Sequence, residues 1–375
     1  MKRAKHIFNK VIDTDNIKQA IYDVNSGHRG RKEAVWVEDT IDDRIEDLKN
    51  IILNGYTKSE TRKMTIYDKN AKKYRDIEEP KLWPDQYIHH MIIQPLIPIM
   101  MRGMDDLCCG SIPGRGTQLG IKYIKRCLRK DKKNTKYAAE LDIHHFYASV
   151  KPEVIMNRMK SLIKDKKMLN LIKILVKDGL SIGAYYSQWF ANTVLQPLDH
   201  FIREELKIKY YVRYMDNLTL FHNNKKKLHK AVRKISEYLK SMQLRFKDNW
   251  QVFKVDSRMV SAMGYRFDHE KTLIRKHNLM NIKKTLHKLY HKMDRNQPIT
   301  VHEAQGIISR LGMLKHCDST NIYNEIVRTG FVKQMKQIIK EDAKQKRNII
   351  ERKDQNGISV HKCKGQWKRR RCLEN

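Results

Sequence analysis

Two aspartates draw attention by type and setting. Asp142 ends the apolar run Ala138, Ala139 and Leu141 and is followed by Ile143, and Asp216 lies 74 residues later inside YVRYMDNLTLF. A carboxylate at a strand end and another at a hairpin tip converge when the two strands are neighbours in one sheet. Two carboxylates held together resist ionising unless a cation compensates them. Mg2+ suits such a pair, because it takes one or two protein carboxylates and completes its octahedron with water and substrate phosphates. Two such ions, Mg2+ or Mn2+, can clamp the attacking and leaving oxygens of an in-line nucleotidyl transfer. Taken singly, Asp142 reads as a cap or a surface charge. Asp216-Asn217 then reads as the tight turn of an ordinary hairpin, where Asp and Asn tolerate positive φ.

The elements around these residues must position them. AAELDIHHFYASV (138–150) predicts one compact strand, and YVRYMDNLTLF predicts two strands joined at Asp216-Asn217. TIYDKNAKKYRDIEEP predicts an earlier hairpin that turns over Asp68 to Lys72 and ends at Pro80. Ile41, Ile45, Leu48, Ile51 and Ile52 recur at helical spacing, with Asn54-Gly55 as a stop. Helices are also expected from about 84 to 93, 118 to 129, 185 to 205 and 225 to 244, with a helical pair ending near 178. Short strands are expected around 251–255 and 261–267. From Arg275 the chain reads as helical, and Thr300-x-x-Glu303 is a capping-box signature.

Composition narrows the partners. Lys and Arg number 77 against 42 Asp and Glu, a formal net charge of +35 in 375 residues. Such an excess points to a polyanion, nucleic acid before membrane, since no stretch is long and apolar enough to span a bilayer. The start, MKRAKHIFNK, lacks the apolar core of a signal peptide, so the expectation is a cytoplasmic protein. Cys108, Cys109, Cys127, Cys317, Cys363 and Cys372 follow no disulfide-scaffold spacing and are expected as thiols. His361, Cys363 and Cys372 lack an obvious fourth ligand for zinc. The basic end after about residue 345 is expected to be mobile or to order on nucleic acid.

Seven stretches, in order, resemble the reverse transcriptases. LDIHHFYASV resembles the first catalytic motif, SIGAYYSQWFANTVLQPLDHFI the template-gripping loop and helix, and YVRYMDNLTLF the tyrosine-x-aspartate-aspartate hairpin. YRDIEEP resembles the fingers, IPGRGTQLGIKYIKR the approach to the catalytic strand, SAMGYRF the primer-gripping hairpin and ISRLGMLKHCDS a thumb helix. The similarity spans roughly residues 65 to 320. Ile182-Gly183 and Ser187-Gln188 stand where intron-type and viral enzymes place Gln-Gly and Ser-Pro. That variant resembles the bacterial enzymes of diversity-generating retroelements, abortive-infection systems and other phage-defence loci.

The resemblance implies an α+β right-hand polymerase fold. It divides the chain into an N-terminal helical extension (1–64), fingers (65–140), a ferredoxin-like palm (141–270, fingers elements interleaved), a helical thumb (271–345) and a basic C-terminal tail (346–375). It implies that Asp142 and Asp216 bind two metal ions, helped by the Ile143 carbonyl. Asn217 stands where the family has a second aspartate, and its neutral amide oxygen is a poorer magnesium ligand. Arg75 would contact the incoming triphosphate, and Tyr147 falls at the sugar-gate position that favours dNTPs; without the match, Tyr147 reads as a core aromatic on a strand. Ile182, Gly183 and Gln188 would lie at the nascent pair. Arg115, Ser187, Gly264, Tyr265 and Lys283 would contact nucleic acid.

The implied function is RNA-directed DNA polymerase, with an RNA template, dNTPs and a DNA product. Its implied setting is anti-phage defence with a dedicated noncoding RNA, and partner proteins or a homo-oligomer. Retroelement-driven diversification is the alternative. A catalytically lapsed RNA-binding palm and an RNA-dependent RNA polymerase are further readings.

Overall fold

The computed structural model describes residues 2–68 and 73–355, with Lys73 and 346–355 described by backbone alone. The turn predicted over 68 to 72 lies largely outside the described residues, as do His361, Cys363, Cys372 and the chain end. The protein divides into two compact units, one of Met1–Leu279 with His316–Asp318, the other of Met280–Lys315 with Ser319–Asn375.

The first unit opens with helices Phe8–Val11, Thr14–Gly27, Lys32–Asp39 and Ile41–Leu53. The last of these buries Ile45, Leu48 and Ile52 and stops at Asn54, with Gly55 at φ +98°, as its spacing predicts. A hairpin follows, β1 (Arg62–Asp68) against β2 (Lys73–Glu79), paired antiparallel from Arg62↔Glu79 to Asp68↔Lys73. The remaining strands are β3 (Tyr137–Asp142), β4 (Tyr210–Tyr214), β5 (Asn217–His222), β6 (Gln251–Lys254), β7 (Val260–Ala262), β8 (Tyr265–Phe267) and β9 (Thr272–Ile274).

Strands β3 to β6 form one antiparallel sheet in the order β4-β5-β3-β6. Helix Tyr185–His200 lies between β3 and β4 in the chain, and helix Lys225–Ser241 between β5 and β6. That strand–helix–strand–strand–helix–strand order with β3 and β5 central is the ferredoxin-like palm. Ala139, Leu141, Leu218 and Leu220 join the core with Leu228, Val232, Ile235 and Leu239 of the second helix, and the opposite face is covered as well, since Ala138, Val212, Thr219 and Phe221 are also buried. Strands β7, β8 and β9 form a separate three-stranded sheet. Met263 and Gly264, both at positive φ, make its first turn, the type I′ geometry of a two-residue hairpin.

Three predictions need correction. The strand expected over 138–150 ends at Asp142, and Phe146–Ser149 is a helical turn entered through His145 at φ +44°. Past Asp142 the pairing goes on for one antiparallel bridge only, Ile143 to Phe246, closed by Lys247 N–H to the Asp142 carbonyl at 2.9 Å and His144 N–H to the Arg245 carbonyl at 2.8 Å, before His145 turns the chain away. The run 261–267 is two strands around a turn, the hairpin its resemblance implies and not the single short strand its residues suggest. The last helix, Phe331–Gln355, continues ten residues into the segment expected to be mobile.

The second unit is helical. Ile282, Leu286 and Leu289 of the helix Lys276–Asp294 are buried, as are Ala304, Ile307 and Leu311 of Val301–Gly312. The predicted capping box is present in full: the Thr300 side chain accepts from the Glu303 N–H, and the Glu303 carboxylate accepts from the Thr300 N–H at 3.1 Å. The α+β class with a ferredoxin-like palm is therefore as expected. No helix among the described residues is long and apolar enough to cross a membrane.

Candidate active site

Asp142 is the last residue of β3, and its register partner is Asn217, the first residue of β5. The Ile143 N–H donates to the Asp216 carbonyl at 3.1 Å, so the two aspartates are linked through the backbone. Tyr214 pairs with Asn217, which makes Met215-Asp216 the two-residue turn. The turn predicted at Asp216-Asn217 is thus displaced by one residue. Met215, at φ +56°, takes the left-handed position, the type II′ pattern whose twist suits a hairpin. A side chain there costs roughly 1–2 kcal/mol, so the surroundings must hold it. They do so from two sides. Arg213 Nη1 donates to the Met215 carbonyl at 3.1 Å. Gly110 lies so close that a Cβ on it would come within 2.6 Å of the Met215 backbone nitrogen and side chain.

Arg213 is the centre of this support, and sequence reasoning missed it. Its side chain is fully buried and forks onto Asp199, Nε to Oδ1 at 2.8 Å and Nη2 to Oδ2 at 2.6 Å. Nη1 also donates to Asn192 Oδ1 at 2.9 Å, and Tyr211 Oη donates to Asp199 Oδ1 at 2.6 Å. Asn192 Nδ2 in turn donates to the Gly110 carbonyl at 2.8 Å. Asp199 and Asn192 belong to helix Tyr185–His200, so one guanidinium ties that helix to the hairpin carrying Asp216. The YVRYMDN string held the only available signal, an Arg inside an otherwise apolar strand.

The electrostatics are those of a carboxylate pair that the Lys247 ammonium partly compensates. Asp216 is half-buried; desolvation, then the Asp142 charge, raises its pKa. Asn217 Nδ2 donates to Asp216 Oδ1 at 3.0 Å. Asp142 Oδ2 accepts from the Lys247 ammonium, a partner 105 residues away that the sequence did not reveal. Asp142 Oδ1 is buried and without a hydrogen-bond partner. A buried carboxylate oxygen left unpaired is costly. An oxygen-seeking divalent cation would satisfy it, so the residues fit a metal site of two carboxylates. No cluster of three or more His, Cys, Asp or Glu side chains suited to a metal occurs among the described residues.

The other candidates divide. Tyr147, half-buried on the helical turn after β3, has its phenol pKa raised by burial and then by the Asp216 charge, which places it near the aspartate pair. The Ile182 carbonyl accepts from the Glu78 N–H at 2.9 Å, joining this loop to β2. Gly183, exposed at φ +119°, abuts the Glu78 carbonyl so closely that a Cβ would sit 2.5 Å away. Gln188 is exposed on the helix that follows. Ser187 is buried and accepts from the Ser181 N–H at 3.2 Å.

Arg75 Nε donates to Asp68 across the β1–β2 hairpin at 2.7 Å. Arg115 turns inward, donating to the Asp105 carbonyl at 2.6 Å. Gly264 occupies its hairpin turn, where its carbonyl accepts from the Arg275 N–H at 3.0 Å. Tyr265 is buried, with its phenol pushed up to about 12 by burial. In the second unit Lys283 pairs with Glu325 at 3.4 Å.

Comparison with known proteins gives one family. A family model described as reverse transcriptase (RNA-dependent DNA polymerase) matches residues 62–267. No curated protein matches the chain. Among solved structures, an apo telomerase from Candida tropicalis truncated from its C-terminal domain is similar at 12% identity and a TM-score of 0.43, covering 56% of this chain and 53% of that one. The telomerase of the same organism in complex with a TWJ fragment of telomeric RNA is similar at 11% identity and a TM-score of 0.47, covering 72% and 55%. The chain thus spans about half the length of these structures. The match over 62–267 covers more than half of the 375 residues and includes both aspartates, and on it the chain belongs to the reverse transcriptase family, the RNA-directed DNA polymerases.

Proposed function

We propose that this chain extends a 3′ hydroxyl with dNTPs on an RNA template, using Asp142 and Asp216 to hold two divalent ions, Mg2+ by preference. The observation that carries the proposal is the aspartate pair itself: β3 and the β4–β5 turn joined by a backbone bond, with Asp142 Oδ1 buried and unpaired. Bound there, the ions would activate the attacking hydroxyl and neutralise the leaving pyrophosphate. The protein's own residues orient and exclude. Arg213 and Gly110 fix the Met215 turn and with it Asp216. Tyr147 beside that aspartate would collide with a ribose 2′-OH, favouring dNTPs over rNTPs. Arg75, Ile182, Gly183 and Gln188 are proposed for the nucleotide side. Arg115, Ser187, Gly264, Tyr265 and Lys283 are proposed for the nucleic acid. The subdomains are proposed as fingers over 65–140, palm over 141–270 and thumb over 271–345.

The finer role proposed is phage defence with a dedicated noncoding RNA, supported by Ile182-Gly183 and Ser187-Gln188. A lapsed, RNA-binding palm is the second reading, favoured by one observation: the Asn217 amide donates to an Asp216 oxygen that a metal would use. Primer extension on an RNA template with Mg2+ and dNTPs separates the two. Wild type should incorporate while Asp142→Ala and Asp216→Ala do not. Equal incorporation by all three would remove the catalytic assignment, and a preference for rNTPs would overturn the role of Tyr147.

A further inference from the structure

A groove of about 650 Å³ runs between helices Pro152–Leu162 and Lys166–Leu175 and shares no lining residue with the aspartate site. Lys160, Lys166, Lys173 and Lys177 line it, all exposed. The basic groups around them that do pair, such as Lys58 with Asp178 at 2.9 Å, find carboxylates; these four have no ion pair among the described residues. Glu153 is the one carboxylate in the lining. Val176 is buried and Met156 and Leu169 half-buried, so the less exposed part of the lining is apolar. Asn157 and Asn170 add two exposed carboxamides, each carrying donors and an acceptor.

We infer that this groove binds single-stranded RNA outside the polymerase site, seating one base on the apolar floor and the flanking phosphates on the lysines. The chemistry matches part by part. Exposed ammonium groups without ion pairs, gathered around one groove, are a polyanion footprint, because each phosphate contact releases counterions. An apolar floor with carboxamides at its edge suits a base, which stacks by its face and bonds by its edge. Fully charged duplex backbone would use the lysines and leave the floor and the amides idle. An acidic peptide would use the lysines too, and the experiment therefore has to tell it from RNA. The inference rests on the polymerase reading only in taking RNA as the polyanion at hand.

The test is equilibrium binding of a fluorescein-labelled single-stranded RNA to the full chain in EDTA, so that no chemistry contributes. The salt dependence is measured for wild type and for the variant with all four lysines changed to alanine. Four lost phosphate contacts should flatten the slope of log affinity against log salt by roughly 2 to 3. Changing the four to arginine should restore the slope. Asn157→Ala with Asn170→Ala should weaken binding several-fold at unchanged slope, and 4-thiouridine RNA should crosslink within 152–178. An unchanged slope in the alanine variant, with its melting temperature intact, overturns the inference. So does polyglutamate competing as well as RNA of equal charge, which would make the groove an acidic-protein site. Failure of the polymerase reading shows separately, in primer extension by the Asp142 and Asp216 variants.

Discussion

Arg213 and Asp199 form a two-pronged ion pair in which neither side chain reaches solvent. Burying both charges is repaid only when every donor and acceptor is met. Here the guanidinium also reaches Asn192 and the Met215 carbonyl, and the carboxylate also accepts from Tyr211. The pair therefore does more than fill the core: it transmits the position of helix Tyr185–His200 to the turn that carries Asp216.

Removing one member should cost more than removing both. Arg213→Ala leaves the Asp199 charge buried alone, at about 3–5 kcal/mol, and should lower the urea midpoint sharply. Arg213→Met with Asp199→Leu should recover much of that stability. Primer extension by the double variant should stay well below wild type, because the Met215 carbonyl has lost its donor. Full activity in a stable double variant would show that the pair serves folding alone.

Lys247 and a divalent ion should compete for Asp142. The ammonium sits on Oδ2, and both side chains are about one-third exposed. Such a pair is worth at most about 1 kcal/mol. Lys247→Met should therefore tighten Mn2+ binding by roughly two- to fivefold, read by electron paramagnetic resonance without nucleic acid. Asp142→Asn should abolish the binding. Weaker Mn2+ binding by the Lys247 variant would mean that the lysine orients Asp142 for the metal instead.

Gly110 and Met215 give a test of the turn. A methyl group on Gly110 has no room, since Met215 backbone and side chain both fall within 2.6 Å of it. Gly110→Ala should push the tip away and lower extension at least tenfold. Met215→Gly removes the left-handed strain and the side chain that Gly110→Ala would strike, so adding it should restore part of the loss. No restoration would place the damage at the Met215 backbone nitrogen, which the glycine leaves in place, or at Asn192, which bonds the Gly110 carbonyl.

How much of this was legible follows from which interactions are local. Asp142 and Asp216 could be read because apolar runs mark the strands and both carboxylates fall where those runs break. The end of β3 could not, since Ile143, Phe146, Tyr147 and Val150 continue a β-prone pattern; the chain leaves the sheet at His145, whose left-handed backbone its residue type does not announce. Met215 was hidden because composition assigns left-handed turns to Asn, Asp and Gly. Here Arg213 and Gly110 impose one on methionine. Arg213 itself reads as a surface residue until Asp199, 14 residues earlier on another element, is placed beside it.

Acid should weaken the fold through two histidines of helix Tyr87–Ile93. His89 is fully buried, and desolvation takes its pKa to about 3, with the Asp85 charge working against the shift and His90 and Lys58 with it. His90 stacks on Tyr185 at 3.6 Å and is lowered to about 4, by burial first and then by His28. Both folded-state values lie below the unfolded value of about 6.5, so the unfolded chain takes up protons first. Their contribution is therefore intact above pH 6.5 and is lost as pH falls toward 4 and then 3. For His89 the loss is on the order of 2 kcal/mol by pH 5. His90→Phe keeps a ring on Tyr185 but cannot titrate. Its urea midpoint should fall less steeply than that of wild type between pH 7 and pH 5, and parallel curves would show that His90 is not one of the groups responsible.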